Sequence, residues 1–296
     1  MLNYEEMKEK LVNIVAELVG EDYEVTEHKV AKTNVVLDSI IIKNPNINIA
    51  PTIYIEPYYQ MYRNGMSLEA VAEKLVDVFH EHELSTDMDI SNFSNFELQK
   101  QYLRFKVINF AKNIDGILKD VPYVPFLDDL AIVFYLDIND ICPDGTIMIH
   151  NEHLKMWDID TETLYRIAVS NNRVYQPAVI EGMSSVMKEM GVLPDDFDFG
   201  EELMYVMSNP QKRFGASTLV FDDVIGTFAD EHNSDLWIIP SSIHETIIIF
   251  AKNDNEMDKS DISEMIQSVN GSECAESEVL GTKPFYYSRK EKKIIV

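Results

Sequence analysis

The run LAIVFYL, Leu130–Leu136, has no polar interruption, and aspartates stand at Asp128, Asp129 and Asp137 on either side of it. It is far below the roughly 18 residues a membrane-spanning helix needs. Its apolar side chains point to both faces of a strand rather than alternating, so it reads as a central strand covered on both sides. A chain that carries such a strand has to build a layer above it and another below. With 296 residues, 46% of them apolar, there is enough chain for one large core or two modest ones.

The rest of the sequence supplies those layers. A helix is expected from Tyr4 to Val19, with Met7, Leu11, Ile14, Val15 and Leu18 at helical spacing and Gly20 as a stop. Strands follow at Tyr23–Val30, Asn34–Ile42 and from Pro51. Pro57 and Gly65 bound a short helix, and Ser67 caps another whose stripe is Leu68, Val71, Ala72, Leu75, Val76 and Phe79. The polar stretch Ser85–Asn95 breaks the pattern, helical character resumes from Phe96 towards Leu103, and a boundary falls near Asp120–Pro125.

Beyond it, CPDG (Cys142–Gly145) suggests a hairpin from the central strand into GTIMIHN. Helices are expected at Asn151–Trp157, Asp160–Asn171 and Val220–His232, with the acidic loop Leu193–Glu202 and the strand LMYVMS between the last two. Strands Leu236–Ile239 and His244–Ala251 form a second hairpin, and a helix carrying Ile262, Met265, Ile266 and Val269 precedes short closing strands. The expected fold is therefore α+β, with mixed, mostly antiparallel sheets and packed helices in two α+β subdomains, 1–120 and 121–296. No solenoid-period repeat and no low-complexity segment interrupts it.

Charge narrows the partners. Asp and Glu number 51 against 25 Lys and Arg, a formal net charge of −26. Such a surface repels phosphate backbones and anionic membranes and attracts cations and basic protein faces. The only basic cluster is RKEKK, Arg289–Lys293. Glu5 and Glu6 stand where a signal peptide would be basic and then apolar, so a cytoplasmic location is expected. Cys142 and Cys274 form neither a CxxC pair nor a zinc quartet, and there is neither a Walker-type phosphate loop nor a GxGxxG, so no cofactor is expected. The reading that follows is a non-catalytic, macromolecule-binding protein whose partner has a basic surface, with no direct nucleic-acid binding and no membrane. Its sharpest version is an inhibitor that mimics nucleic acid.

Against this stands a hydrolase reading. PSSIHE places Ser241, Ser242 and His244 between two apolar runs, and Asp128 or Asp129 could supply the acid of a triad. The serines lack the Gly-x-Ser-x-Gly elbow, and strand alternation turns His244 and Glu245 to opposite faces, so a turn is the simpler geometry. For metal, the candidates are His150 and His153, three residues apart, which with distant carboxylates would suit zinc, manganese or iron. His80 and His82, two apart at a helix end, make a poor chelate. Tyr54, Tyr58, Tyr59 and Tyr62 are candidates for a recognition surface.

Five stretches carry a family likeness: NIAPTIYIEPYYQMYRNGMSLEAVAE (Asn48–Glu73), VPYVPFLDDLAIVFYLDI (Val121–Ile138), HNEHLKMWDID (His150–Asp160), MYVMSNPQKRFGAS (Met204–Ser217) and DLWIIPSSIHETIII (Asp235–Ile249). On them the chain resembles the bacterial family of unknown function DUF5688, with a fainter likeness to DUF1444. The resemblance implies no activity, cofactor or catalytic residue. It does imply a bacterial setting in gut anaerobes and an association with mobile elements.

Overall fold

Asn3 opens the first helix by a reciprocal cap, its side chain accepting from the Glu6 amide while the Glu6 carboxylate accepts from the Asn3 amide. In the computed structural model, which describes residues 1–47, 50–83, 92–140, 145–194, 196, 200–251, 262 and 275–295, this helix is α1 (Tyr4–Val19). Met7, Leu11 and Val15, one turn apart, are fully buried along it. They pack against a three-stranded antiparallel meander of β1 (Glu24–Lys32), β2 (Val35–Lys43) and β3 (Thr52–Tyr54). Two helices complete this layer: α2 (Glu56–Arg63), with Pro57 in its first turn, and α3 (Leu68–His82), capped by the Ser67 hydroxyl. Val71, Leu75 and Phe79 of α3 meet Ile40, Ile42, Ile53 and Ile55 in the same core.

One charge is buried here. Lys8 lies under the sheet edge with its ammonium 2.9 Å from Glu5, 2.8 Å from Glu27 and 3.3 Å from Asp38. Burial by itself would lower its pKa, but hydrogen bonds to the three carboxylates outweigh that and hold it above the ordinary lysine value.

These elements form one compact unit, Met1–Asn92, and Phe93–Val296 forms the other. The second begins with α4 (Phe96–Gln99), β4 (Leu103–Asn109), α5 (Phe110–Asn113), a 3-10 turn at Ile117–Lys119, β5 (Tyr123–Phe126), β6 (Leu130–Asp137) and β7 (Thr146–Met148). The apolar run is β6, and it is central. β4 pairs along one edge from Leu103 opposite Leu136 to Asn109 opposite Leu130, while β5 and β7 share the other. One face of β6 sends Leu130, Ile132, Phe134 and Leu136 into the large core, and the other packs Ala131 and Val133 on Ile108, Ile117, Leu118 and Val121. Both faces are covered, as its composition requires.

Next come α6 (Asn151–Trp157), α7 (Thr161–Tyr175), β8 (Val179–Gly182), α8 (Met183–Glu189), β9 (Met204–Ser208), a 3-10 turn at Gly215–Val220 and α9 (Asp222–Glu231). β10 (Leu236–Ile239), β11 (Thr246–Phe250), β12 (Phe285–Ser288) and β13 (Lys293–Ile295) close the chain. Their sheet runs in the order β13-β12-β10-β11-β9-β8. Every pairing among the described residues is antiparallel, so the fold is α+β.

β4 is an outer strand, and α7 closes its free edge with side chains. Asn172, fully buried, accepts from the Phe105 amide (3.2 Å) and donates to the Phe105 carbonyl (3.1 Å), as a neighbouring strand would. Asn171 donates to the carbonyls of Lys100 (2.7 Å) and Leu103 (2.9 Å). An edge with its backbone groups satisfied in this way offers no template for another chain.

Two sequence expectations are corrected. The helix expected to run from Phe96 towards Leu103 stops at Gln99, because Leu103, Phe105 and Val107 alternate with Arg104 and Lys106 at strand period. The units divide at Asn92 rather than near Asp120–Pro125, since β4 belongs with β6 along its full length. The turn at Pro143 and Asp144, both cysteines, the centre of the acidic loop and most of the helix expected at 262–269 lie outside the described residues. Ile262 is described, and it is buried against Ile239.

Candidate functional site

The segment 240–245 links β10 to β11 and is held on both sides. Ser242 bridges to Val279, the Ile243 amide donates to the Glu278 carbonyl (2.8 Å), and the Leu280 amide donates to the Ser241 carbonyl (3.2 Å). On the other side the Ser208 hydroxyl donates to the His244 carbonyl (2.8 Å) and the Ala216 amide to the Ile243 carbonyl (3.2 Å). Gly215 sits so close that a Cβ there would lie within 3.0 Å of the Ser208 hydroxyl, the His244 carbonyl and the Asn209 amide.

His244 is built into this packing. Its Nδ1 accepts from the Phe214 amide (3.3 Å), Nε2 faces the Glu278 carboxylate at 3.6 Å, and the ring stacks on Phe214. Both ring nitrogens are therefore engaged elsewhere than on a serine hydroxyl. Ser242 accepts from the His244 amide (3.0 Å) and hydrogen-bonds the Glu245 carboxylate, and Ser241 is buried in the same turn. Asp128 and Asp129 lie at the β5–β6 turn, where burial first and then the neighbouring Asp128 charge raise the Asp129 pKa against the pull of Lys283. The geometry is that of a pinned turn, in which the partners of the two His244 ring nitrogens are Phe214 and Glu278.

His150 and His153 do meet. The His150 amide donates to His153 Nδ1 (3.1 Å), the rings stand at right angles 5.5 Å apart, and His150 Nδ1 lies 2.6 Å from Asp120. His153 packs edge-on to Phe93 and against Trp157, and burial, with His150 beside it, lowers its pKa. One ring nitrogen of each histidine is already committed, and no group of three potential ligands assembles among the described residues. The pair caps α6.

Of the tyrosines, Tyr58 is buried in the first unit's core and the others are half-buried. Tyr59 packs edge-on to Tyr4, the Tyr62 hydroxyl accepts from the Leu2 amide (2.9 Å), and the Lys32 ammonium sits 4.0 Å from the Tyr54 ring centre. They tie α2 to α1 and the sheet rather than presenting one exposed face.

A cleft of about 360 Å³ in the second unit lies where sequence reading placed nothing. Arg104 from β4, Asp137 from the end of β6, Asp140, and Tyr175 and Gln176 at the end of α7 line it, with Gln101, Tyr102, Asn139 and Gln211 at its margin. The Arg104 side chain is buried, its Nη1 donating to the carbonyls of Gln101 (2.7 Å) and Leu103 (2.9 Å), and the guanidinium stacks 4.3 Å from the Tyr175 ring centre. Burial lowers the Arg104 pKa, and the Asp137 charge opposes that. Behind it, Gln176 bonds the Tyr135 hydroxyl (3.1 Å), whose pKa burial pushes up to about 12. The available signal was cationic Arg104 and Lys106 alternating with apolar residues, since a strand that buries cations has to give them something to face.

The model of the family of unknown function DUF5688 matches residues 4–289. The chain belongs to that family. No curated protein and no solved structure matches it. In this DUF5688 member the first unit carries one further feature, on α3. Glu69, Glu73, Asp77 and Glu81 follow one another at four-residue spacing, all exposed, opposite the buried Val71, Ala72, Leu75 and Phe79. Among the described residues none of the four forms an ion pair or a side-chain hydrogen bond. The membrane question has one structural fact: no helix among the described residues is long and apolar enough to cross a bilayer.

Proposed function

We propose that this protein is non-catalytic and cytoplasmic, and that it works by binding a protein with a basic surface through the carboxylate row of α3. What carries the reading is that row. Like charges at i,i+4 on a helix oppose folding by about 0.2–0.5 kcal/mol per pair, and here three such pairs run in series, with none of the four carboxylates in an ion pair among the described residues. A basic partner would turn that internal cost into attraction, and the net charge of −26 would steer its approach. The nucleic-acid-mimic version gains less, because four residues of helix rise about 6 Å, whereas one strand of duplex DNA brings a phosphate about every 3.4 Å of axis. The hydrolase alternative lacks a ring nitrogen of His244 directed at a serine.

The test uses two full-length variants with equal change in net charge: Glu73→Lys with Asp77→Lys on the row, and Glu162→Lys with Glu231→Lys, both exposed, in the second unit. Partners retained from a bacterial lysate at low salt and released at high salt should survive the second pair and be lost with the first. Equal losses in both, or no salt-sensitive partner at all, refutes the reading.

A further inference from the structure

The cleft beside β4 is lined by one guanidinium, two carboxylates and amide side chains, and two aromatic rings stand exposed at its mouth. Tyr175 is 53% exposed and Tyr102 36%, although both are large enough to favour burial. Arg104 itself is only 6% exposed, and its Nε is buried with no hydrogen-bond partner. Nη1 is spent on two main-chain carbonyls, and no carboxylate lies within ion-pairing distance of the guanidinium among the described residues. A buried charged donor with an unmet bond costs more than a neutral one. It is held there by the strand and by the stack on Tyr175, so the fold maintains a fixed cation facing a cavity.

We propose that this cleft binds a free basic α-amino acid. A carboxylate approaching Arg104 would pair with its second terminal nitrogen, and a small opening of the packing over the buried Nε would complete the two-point pairing that planar guanidinium favours. Asp137 and Asp140 then face the cationic nitrogens, and with two lining carboxylates to one guanidinium the complementary ligand carries one anion and two cations. Tyr102 and Tyr175 offer faces on which a side-chain cation can rest. The remaining lining amides are neutral and leave that charge balance unchanged, and the Gln176 amide is committed at both ends to Asn172 and the Tyr135 hydroxyl. A cavity of about 360 Å³ holds such a molecule and leaves room for water. The strongly negative field of the whole chain raises the local concentration of a net cation.

Isothermal titration calorimetry on the full chain separates the contributions with three probes: L-arginine; agmatine, which lacks the carboxylate; and glutarate, which lacks the cations. L-arginine is expected to bind at least tenfold more tightly than either. Asp140→Asn, on an exposed side chain outside the core, should weaken L-arginine several-fold and leave glutarate unchanged or tighter. Arg104→Gln should bring L-arginine down to the level of agmatine. If that variant fails to fold, Arg104→Lys, which keeps the charge and removes the planar two-point donor, replaces it and should weaken L-arginine several-fold. No heat from L-arginine at 10 mM overturns the proposal, as does glutarate binding as well as L-arginine, and so does L-arginine binding that Asp140→Asn leaves intact.

Discussion

Asn172→Leu removes one amide of near-equal size from the α7 face and should unfold the second unit far more readily. In the native chain Asn172 satisfies both the amide and the carbonyl of Phe105, at 3.2 Å and 3.1 Å, on the side of β4 that faces away from β6. Leucine fills the space and offers neither group a partner. Each buried orphan costs about 1–3 kcal/mol, so the pair costs about 2–6 kcal/mol, which the extra apolar burial offsets by about 1–2 kcal/mol. At the centre of these ranges the net loss is about 2.5 kcal/mol, a large share of a typical domain's 5–15 kcal/mol. Urea unfolding followed by tryptophan fluorescence reads this unit alone, because the chain's two tryptophans, Trp157 and Trp237, both lie in Phe93–Val296. With a slope of about 2–3 kcal/mol per molar urea, the midpoint should fall by about 1 M. Amide exchange should also accelerate at Phe105 before it does at Phe134, which lies on the central strand. A midpoint shift below about 0.3 M with the Phe105 amide still protected would refute the claim that a side chain stands in for a strand there.

Gly215→Ala should destabilise the same unit by at least about 1–3 kcal/mol, since two of the three atoms its Cβ would meet are backbone and cannot rotate away; the tryptophan-detected midpoint checks this. Glu245 is held above the ordinary glutamate pKa of 4.5 chiefly by burial, with Glu278 adding to it. A group raised in the folded state contributes stability that is present below its unfolded pKa and is lost as pH rises through the folded one. Glu245→Gln should therefore unfold at the same urea concentration as wild type near pH 4 and at a higher one by pH 7, and parallel pH curves would contradict the assignment. Glu73→Lys, which turns two repulsive pairs on α3 attractive, should increase hydrogen-exchange protection of α3 by a factor of a few at low salt and lose that gain in 1 M salt.

Periodicity was enough for much of the architecture. The stripe of Met7, Leu11 and Val15, the stop at Gly20, the cap at Ser67 and the unbroken apolar run of β6 are local signals, and each became the element its spacing required. The α+β class followed from their mixture. β8 and α8 were not legible, because a strand and a helix of four and seven residues give too few repeats of either period. β4 was misread although its alternation is present, since Arg104 and Lys106 resemble a solvated face until Tyr175, Phe214 and the packing around them cover it. The unit boundary moved with it, because strand pairing is a long-range choice that leaves no mark in the residues between.

Side-chain chemistry was less legible still. PSSIHE presents reactive residue types, and only the contacts of His244 with Phe214 and Glu278 decide that its nitrogens face away from the serines. The cleft draws Arg104, Asp137 and Tyr175 from three separate elements, at positions that share no motif. Sequence sets which residues lie on one face of a helix or strand, because that depends on local geometry alone. Which of those faces meet, and hence which charges are left looking into a cavity, is fixed only when β4, β6 and α7 pack.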